Sequence, residues 1–103
     1  MPSAAFKKAT EDSRKIKAKP GNDELLEMYG LYKVANGEDI SKSTQPGMFD
    51  LKGKAKFKAW QKEADAKTTP AAAEKKYIDL VESLKSKYGY DANKVPEALG
   101  ERN

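Results

Sequence analysis

Hydrophobic residues recur every three or four positions in four segments of this chain, which is the period of an amphipathic helix. The first segment covers about 3–17 and carries only a thin apolar stripe, from Phe6 to Ile16. The most regular stripe lies in the fourth segment, at Tyr77, Leu80, Val81, Leu84 and Tyr88. No segment sustains the alternation of a half-buried strand, so the pattern predicts an all-α protein.

Capping and helix-breaking residues predict where these helices begin and end. Side chains suited to cap a helix N-terminus are found at Asn22, Asp50 and Thr69. Helix-breaking residues follow the first, second and fourth helices at Pro20, Gly37 and Gly89. The later three helices are therefore predicted at about 23–36, 51–66 and 70–88.

The connection between the second and third helices is long and polar. Asn36-Gly37 and Pro46-Gly47 are turn-forming pairs at its two ends. A connection of this length without its own helix or strand is often functional. We predict that Ile40, Met48 and Phe49 anchor it to the helices.

Four helices joined by connections of different length predict a four-helix bundle. At 103 residues the chain can build one modest core, so we expect one domain over 1–89. The short C-terminal extension, 90–103, shows no sustained pattern and receives no assignment.

The amino-acid composition argues against enzymes and metal-binding proteins as the function class. The chain is 35% charged and contains neither His nor Cys, so it lacks the commonest general base and the commonest zinc ligand, and has no thiolate. No paired carboxylates stand at a suggestive spacing. We therefore expect no enzyme activity, no metal and no cofactor.

No apolar run approaches the roughly 20 residues that a membrane-spanning helix requires, so no stable membrane insertion is expected. The N-terminal residues 1–8 contain no apolar core of a signal peptide, and we expect a cytoplasmic protein. The formal charge is +4, with 20 basic and 16 acidic residues, which favours anionic partners without choosing among them.

The second predicted helix carries a candidate binding face. Tyr29, Tyr32 and Lys33 stand at i, i+3 and i+4, so two phenol rings and one ammonium share a side of the helix. A groove that holds a flat anionic ligand needs a ring to stack on and a cation for a phosphate. The alternative is a tyrosine-rich core stripe edged by a solvated lysine.

Lysines of the third helix form a second candidate set. Lys52, Lys54, Lys56 and Lys58 alternate as in a strand, but no β-branched residue interrupts this segment, and a helix fits better. On a helix, Lys52 and Lys56 share one side, and Lys56 borders the apolar stripe of Trp60. Spacing alone favours four solvated lysines.

Several motifs, in order, are similar to one known family. They are Tyr29-Gly30-Leu31-Tyr32-Lys33, Asp39-Ile40, Pro46-Gly47-Met48-Phe49-Asp50, Gly53-Lys54-Ala55-Lys56-Phe57-Lys58-Ala59-Trp60, Tyr77-Ile78 and Lys87-Tyr88-Gly89. Over about 6–89 the chain resembles the acyl-CoA-binding protein family. One departure is the turn Asn36-Gly37-Glu38-Asp39, where the family usually has Val-Gly-Asp.

The resemblance implies an up-down-down-up four-helix bundle that binds medium- to long-chain acyl-CoA thioesters without reacting with them. Matched by motif, Tyr32 is expected to stack on the adenine. Tyr29, Lys33 and Lys56 are expected to hold the ribose 3′-phosphate. The protein is thus expected to buffer and transport acyl-CoA.

The resemblance extends to further residues. It implies that Lys52 lies near the ligand, that Tyr77 lines the groove and that Arg14 makes a basic contact from the first helix. For Arg14, spacing alone favours an exposed surface charge. Gly30 and Leu31 lie inside the binding motif and are expected to pack against the ligand rather than to anchor it.

The alternative function is a basic helical module that binds nucleic acid or acidic surfaces. The interspersed acidic residues and the absence of an arginine-rich stripe argue against it. We therefore expect acyl-CoA as the partner, no nucleic acid and a monomeric protein.

Overall fold

The computed structural model describes residues 3–93, and four α-helices account for most of this part of the chain. They are α1 (Ala4–Ser13), α2 (Asn22–Ala35), α3 (Leu51–Asp65) and α4 (Pro70–Tyr88). A 3-10 turn, Ile40–Lys42, lies in the long connection between α2 and α3. The all-α prediction is confirmed, whereas 94–103 of the predicted C-terminal extension lie outside the described residues.

Two of the predicted N-terminal caps are confirmed. Asp50 accepts a hydrogen bond from the backbone N–H of Gly53 at 2.9 Å, and Thr69 accepts one from that of Ala72 at 3.1 Å. Each bond satisfies one of the N–H groups that have no partner within a helix, and so defines where α3 and α4 begin.

The predicted cap of α2 was wrong by one residue. Gly21 is the capping residue, and Asn22 is already the first residue of the helix. The carboxylate of Glu24 accepts from the N–H of Gly21 at 2.8 Å, and Tyr88 and Lys87 of α4 also donate to it. The tertiary contacts of Glu24 thus stabilise the earlier start.

The first helix is shorter than predicted and ends at Ser13. Residues after it leave the helical path because they pair with the chain that follows α4. Ile16 forms an isolated antiparallel bridge with Tyr90, and the N–H of Lys17 donates to the carbonyl of Gly89 at 2.9 Å. This pairing joins segments more than 70 residues apart, so helical spacing did not reveal it.

Helices α1 and α4 run parallel. At their N-terminal ends the N–H of Ser3 donates to Glu74 at 2.9 Å, and near their C-terminal ends Lys85 donates to Asp12 at 2.7 Å.

Helix α2 runs antiparallel to α4 and parallel to α3. Glu24, in the first turn of α2, meets Tyr88 at the end of α4. Gly30, further along α2, faces the backbone of Ala59 in the second half of α3, whereas Leu26 and Leu51, nearer the starts of the two helices, share a groove. The four helices therefore have the up-down-down-up arrangement.

The core lies between the four helices. Its largest fully buried side chains are Phe6, Ile16, Leu31, Val81 and Leu84. Ile40 packs against this core as predicted, whereas Met48 and Phe49 are 75% and 90% exposed, so their predicted anchoring role was wrong. Among the described residues, no helix has the length and apolarity to cross a membrane.

A buried carboxylate joins α1 to α4. Asp12 accepts hydrogen bonds from Lys85 at 2.7 Å, from Lys8 at 3.1 Å and from the hydroxyl of Tyr90 at 3.0 Å. Burial by itself raises the pKa of Asp12, but these three donors together outweigh it, and the pKa lies below its usual value.

We expect Asp12→Asn to lower the free energy of unfolding at pH 7 by about 1–2 kcal/mol, because the buried hydrogen bonds lose their charge. A carboxyl whose pKa is lowered by folding stabilises the protein above its unfolded pKa, near 3.8, and this stabilisation is lost as the pH falls through the folded value. Urea unfolding of both proteins should therefore show a smaller difference at about pH 2.5.

Asp79→Asn, which removes an exposed carboxylate from α4, is the matched control and should change little. An Asp12→Asn effect that is as large at about pH 2.5 as at pH 7 would contradict this account.

Candidate functional site

Three aromatic rings from three helices form a cluster beside the bundle core. Phe6 lies with its ring centre 5.1 Å from that of Tyr77 and 6.0 Å from that of Tyr32, and the two tyrosine rings are 6.2 Å apart. Phe6 and Tyr77 are buried, whereas Tyr32 is 38% exposed. The cluster therefore supports an aromatic ring that remains accessible to a flat ligand.

Tyr77 hydrogen-bonds to the end of α1, and the charge of Arg14 acts on it. The Tyr77 hydroxyl donates to the Ser13 hydroxyl at 3.3 Å, and burial raises the pKa of Tyr77. Arg14, which follows the last residue of α1, is exposed, and its positive charge partly offsets that rise. Burial limits Tyr77 to a supporting position, while Arg14 adds positive charge at the edge of the aromatic cluster.

Two lysines from different helices approach one tyrosine ring. The ammonium groups of Lys33, on α2, and Lys56, on α3, each lie 5.6 Å from the ring centre of Tyr29. Lys33 also lies 5.4 Å from the ring centre of Trp60. Both lysines are partly buried, so their charges are less hydrated than those of surface lysines and interact more strongly with an anion.

Lys33 has a carboxylate partner. Its ammonium lies 3.0 Å from a carboxylate oxygen of Glu38, just beyond the end of α2. Burial alone lowers the pKa of Lys33, but the hydrogen bond to Glu38 and the neighbouring phenols of Tyr29 and Tyr32 raise it overall. Lys33 is therefore charged at neutral pH.

An open groove lies between α2 and the start of α3, and Lys56, but not Lys33, is part of its lining. It has a volume of about 170 Å³, and its lining residues are Asn22, Leu26, Leu51, Lys52, Ala55 and Lys56. Leu51 is 76% exposed, so a large apolar surface faces solvent at the groove. The groove thus combines an apolar wall with Lys52 and Lys56, which suits a ligand with a charged and an apolar part.

Tyr29, Lys33 and the α2 residues that line the groove lie along one side of α2. Positions 22, 26, 29 and 33 are separated by four, three and four residues, which places them on one face over about 16 Å. This spacing was visible in the sequence, but Asn22, Leu26, Leu51 and Ala55 were not predicted as groove residues. The groove also needs α3 at a known distance, and periodicity does not supply that distance.

Not all residues of the predicted binding motif face this site in the same way. Gly30 is buried between α2 and α3, where an added Cβ would lie 2.6 Å from the carbonyl oxygen of Ala59. Leu31 is buried in the core, and Lys52 is exposed at the groove. Gly30 and Leu31 therefore position the helices, while Lys52 remains available to a ligand.

The chemistry of the site is that of a binding surface for an anion with an apolar part. Its charged groups are ammonium groups, one guanidinium and the carboxylate of Glu38 that pairs with Lys33, and its other surfaces are aromatic and aliphatic. Within the described part of the chain, no cluster of three or more His, Cys, Asp or Glu side chains could hold a metal ion. Groups of this kind are suited to contact an anion and an apolar chain.

Comparison with known proteins agrees with this geometry. The family model described as acyl CoA binding protein matches residues 3–81, a range that includes every candidate site residue. An acyl-CoA-binding protein homolog of Manduca sexta is 43% identical over 84 residues, covering 82% of this chain and 91% of that protein. Acyl-CoA-binding protein homolog 1 of Caenorhabditis elegans is 45% identical over 86 residues, covering 82% and 95%. The crystal structure of Oryza sativa acyl-CoA-binding protein 2 is similar with a TM-score of 0.69 and 29% identity, covering 81% of this chain and 89% of that one. The chain therefore belongs to the acyl-CoA-binding protein family.

Proposed function

We propose that this protein binds medium- to long-chain acyl-CoA thioesters, and buffers and transports them without catalysing a reaction. The observation that carries the proposal is the convergence of Lys33 and Lys56 on the ring of Tyr29, beside an apolar groove. A phosphate and an acyl chain of one ligand match these two surfaces.

The nucleotide end of the ligand is assigned to the aromatic and cationic groups. Lys33 and Lys56 bind the ribose 3′-phosphate through charge-assisted hydrogen bonds, with Tyr29 as a further donor. Tyr32 stacks on the adenine, supported from below by Phe6. This role explains why the partly exposed ring of Tyr32 packs on the buried ring of Phe6.

Two other residues assist the nucleotide end. Arg14 adds positive charge for the phosphates from the end of α1. Tyr77 lines the inner side of the site. Its hydroxyl donates to that of Ser13 at 3.3 Å, and this bond fixes the position of the Tyr77 ring.

The acyl end is assigned to the groove between α2 and α3. Leu26, Leu51 and Ala55 supply its apolar wall, and Lys52 contributes a positive charge at its edge. Burial of each methylene stabilises the complex by up to about 0.8 kcal/mol, and ordering of the chain offsets part of that gain. Affinity should thus rise with chain length until the chain extends past the groove.

The proposal also covers the cellular location, oligomeric state, domain bounds and partners of the protein. It acts in the cytoplasm as a monomer, and its ligand-binding domain is 1–89, followed by the unassigned C-terminal tail 90–103. Acyl-CoA is its partner, and nucleic acid is not.

A calorimetric series tests the function. We expect affinity to increase from CoA to short-chain and then to long-chain acyl-CoA, by up to about fourfold for each added methylene. The free fatty acid should bind much more weakly, because it lacks the phosphate and the adenine.

Two outcomes would overturn the proposal. A fatty acid that binds as tightly as its CoA ester would exclude the phosphate anchor. Salt-dependent binding of DNA, together with no binding of any CoA ester, would instead support the basic nucleic-acid module.

A further inference from the structure

Glu38 forms an ion pair with Lys33, the lysine to which the ligand phosphate is assigned. Its carboxylate lies 3.0 Å from the ammonium of Lys33, which also lies over the rings of Tyr29 and Trp60. The Lys33 side chain is 24% exposed and that of Glu38 is 43% exposed. The lysine is thus held in the site, while its partner is at the solvent boundary.

The helix end fixes the position of Glu38. Gly37 has a positive φ of 74°, and its N–H donates to the carbonyl of Val34 at 2.9 Å. The N–H of Glu38 then donates to the carbonyl of Lys33 at 3.2 Å. This pair of bonds is the Schellman motif, in which the residue after the glycine returns to the residue five positions earlier. The backbone therefore holds Glu38 beside Lys33, and the ion pair follows from how α2 ends.

We infer that Glu38 is an internal counter-ion that competes with the ligand 3′-phosphate for Lys33 and thereby lowers affinity for phosphorylated ligands. The inference rests on the proposed function, because it assigns the phosphate to Lys33. A carboxylate and a phosphate at the same ammonium repel each other, so binding requires Glu38 to leave Lys33. Its partial exposure allows the carboxylate to return to water.

The inference predicts a selective gain of affinity on neutralising Glu38. Glu38→Gln keeps the size of the side chain and the backbone bond to Lys33 but removes the charge. We expect the variant to bind palmitoyl-CoA about three- to tenfold more tightly than the natural protein, as for loss of a partly exposed competing charge. The gain should disappear with 3′-dephospho-palmitoyl-CoA.

Glu27→Gln is the matched control. Glu27 is an exposed carboxylate of α2, and its replacement makes the same change in net charge. It should alter the affinity for either ligand less than twofold. A second check uses Lys33→Gln, in which adding Glu38→Gln should give no further gain because the shared partner is missing.

The outcomes separate this inference from the proposed function. Tighter binding of the phosphorylated ester alone, lost in the Lys33→Gln background, supports the inference. Unchanged or weaker binding by Glu38→Gln, while the natural protein binds palmitoyl-CoA, overturns the inference and leaves the function intact. An equal gain with the dephospho ester also overturns it, because the effect would not involve the phosphate. Failure of the natural protein to bind palmitoyl-CoA overturns both.

Discussion

Replacement of both Lys33 and Lys56 by alanine should weaken the binding of long-chain acyl-CoA by about a hundredfold or more. Each ammonium contributes a charge-assisted hydrogen bond of about 1.5–3 kcal/mol to the phosphate, and every 1.4 kcal/mol is a factor of ten. The two lysines come from different helices but converge on the ring of Tyr29, so they act on one anion. Calorimetry at fixed ionic strength measures the loss directly.

The matched control replaces Lys58 and Lys62 by alanine. Both are exposed lysines of α3, so the net charge falls by the same amount. This variant should bind within about threefold of the natural protein, since exposed charges are screened at physiological salt. An equal loss in both double variants would mean that overall charge, and not the pair at Tyr29, attracts the ligand.

The ligand offers a further test of the same pair. With a 3′-dephospho ester, the natural protein should lose most of the advantage that it holds over the Lys33→Ala, Lys56→Ala variant. Retention of the full difference would place the phosphate elsewhere.

Gly30→Ala should destabilise the protein by about 2 kcal/mol, the upper end of the overpacking cost less the gain in helix propensity. A Cβ at this position would lie 2.6 Å from the carbonyl oxygen of Ala59 and 3.3 Å from the backbone nitrogen of Trp60. These are backbone atoms of α3, so they cannot move aside as a flexible side chain would, and overpacking typically costs about 1–3 kcal/mol. The higher helix propensity of alanine, worth about 1 kcal/mol, offsets only part of the loss. Urea unfolding at neutral pH measures the change.

Gly47→Ala is the control for Gly30→Ala. No atom lies within 4 Å of a Cβ added at Gly47, so this variant should be almost as stable as the natural protein. An equally small effect of Gly30→Ala would show that α2 and α3 are not in close backbone contact.

The close approach at Gly30 also affects the site. It sets the separation of α2 and α3, and Tyr29 and Lys56 face each other across this contact. A shift of the two helices should therefore weaken acyl-CoA binding in Gly30→Ala even where the variant remains folded. The sequence motif identified Gly30 as a ligand-contacting residue, whereas its structural surroundings are those of a helix contact.

Local rules predicted the helices well because their signals act within about four residues. Asp50 and Thr69 cap helices through N–H groups three positions later, and Gly37 ends α2 with a positive φ. The sequence also predicted the candidate face of Tyr29, Tyr32 and Lys33, because these residues are at most four positions apart and helical geometry alone places them together.

The errors arose where distant segments meet. The predicted extension of α1 beyond Ser13 failed because Ile16 pairs with Tyr90. Met48 and Phe49 were expected to anchor the loop because they are apolar, but hydrophobicity does not decide which apolar residues find a place in a core of limited size.

The sequence by itself determined the number and type of helices, most of their ends, and the placing of two tyrosines and a lysine on one side of α2. Only the tertiary structure decided that Lys56 joins Lys33 at Tyr29 and that an apolar groove opens beside them. The physical reason is range: helix hydrogen bonds and capping connect residues a few positions apart, whereas the distance between α2 and α3 depends on packing across the whole core.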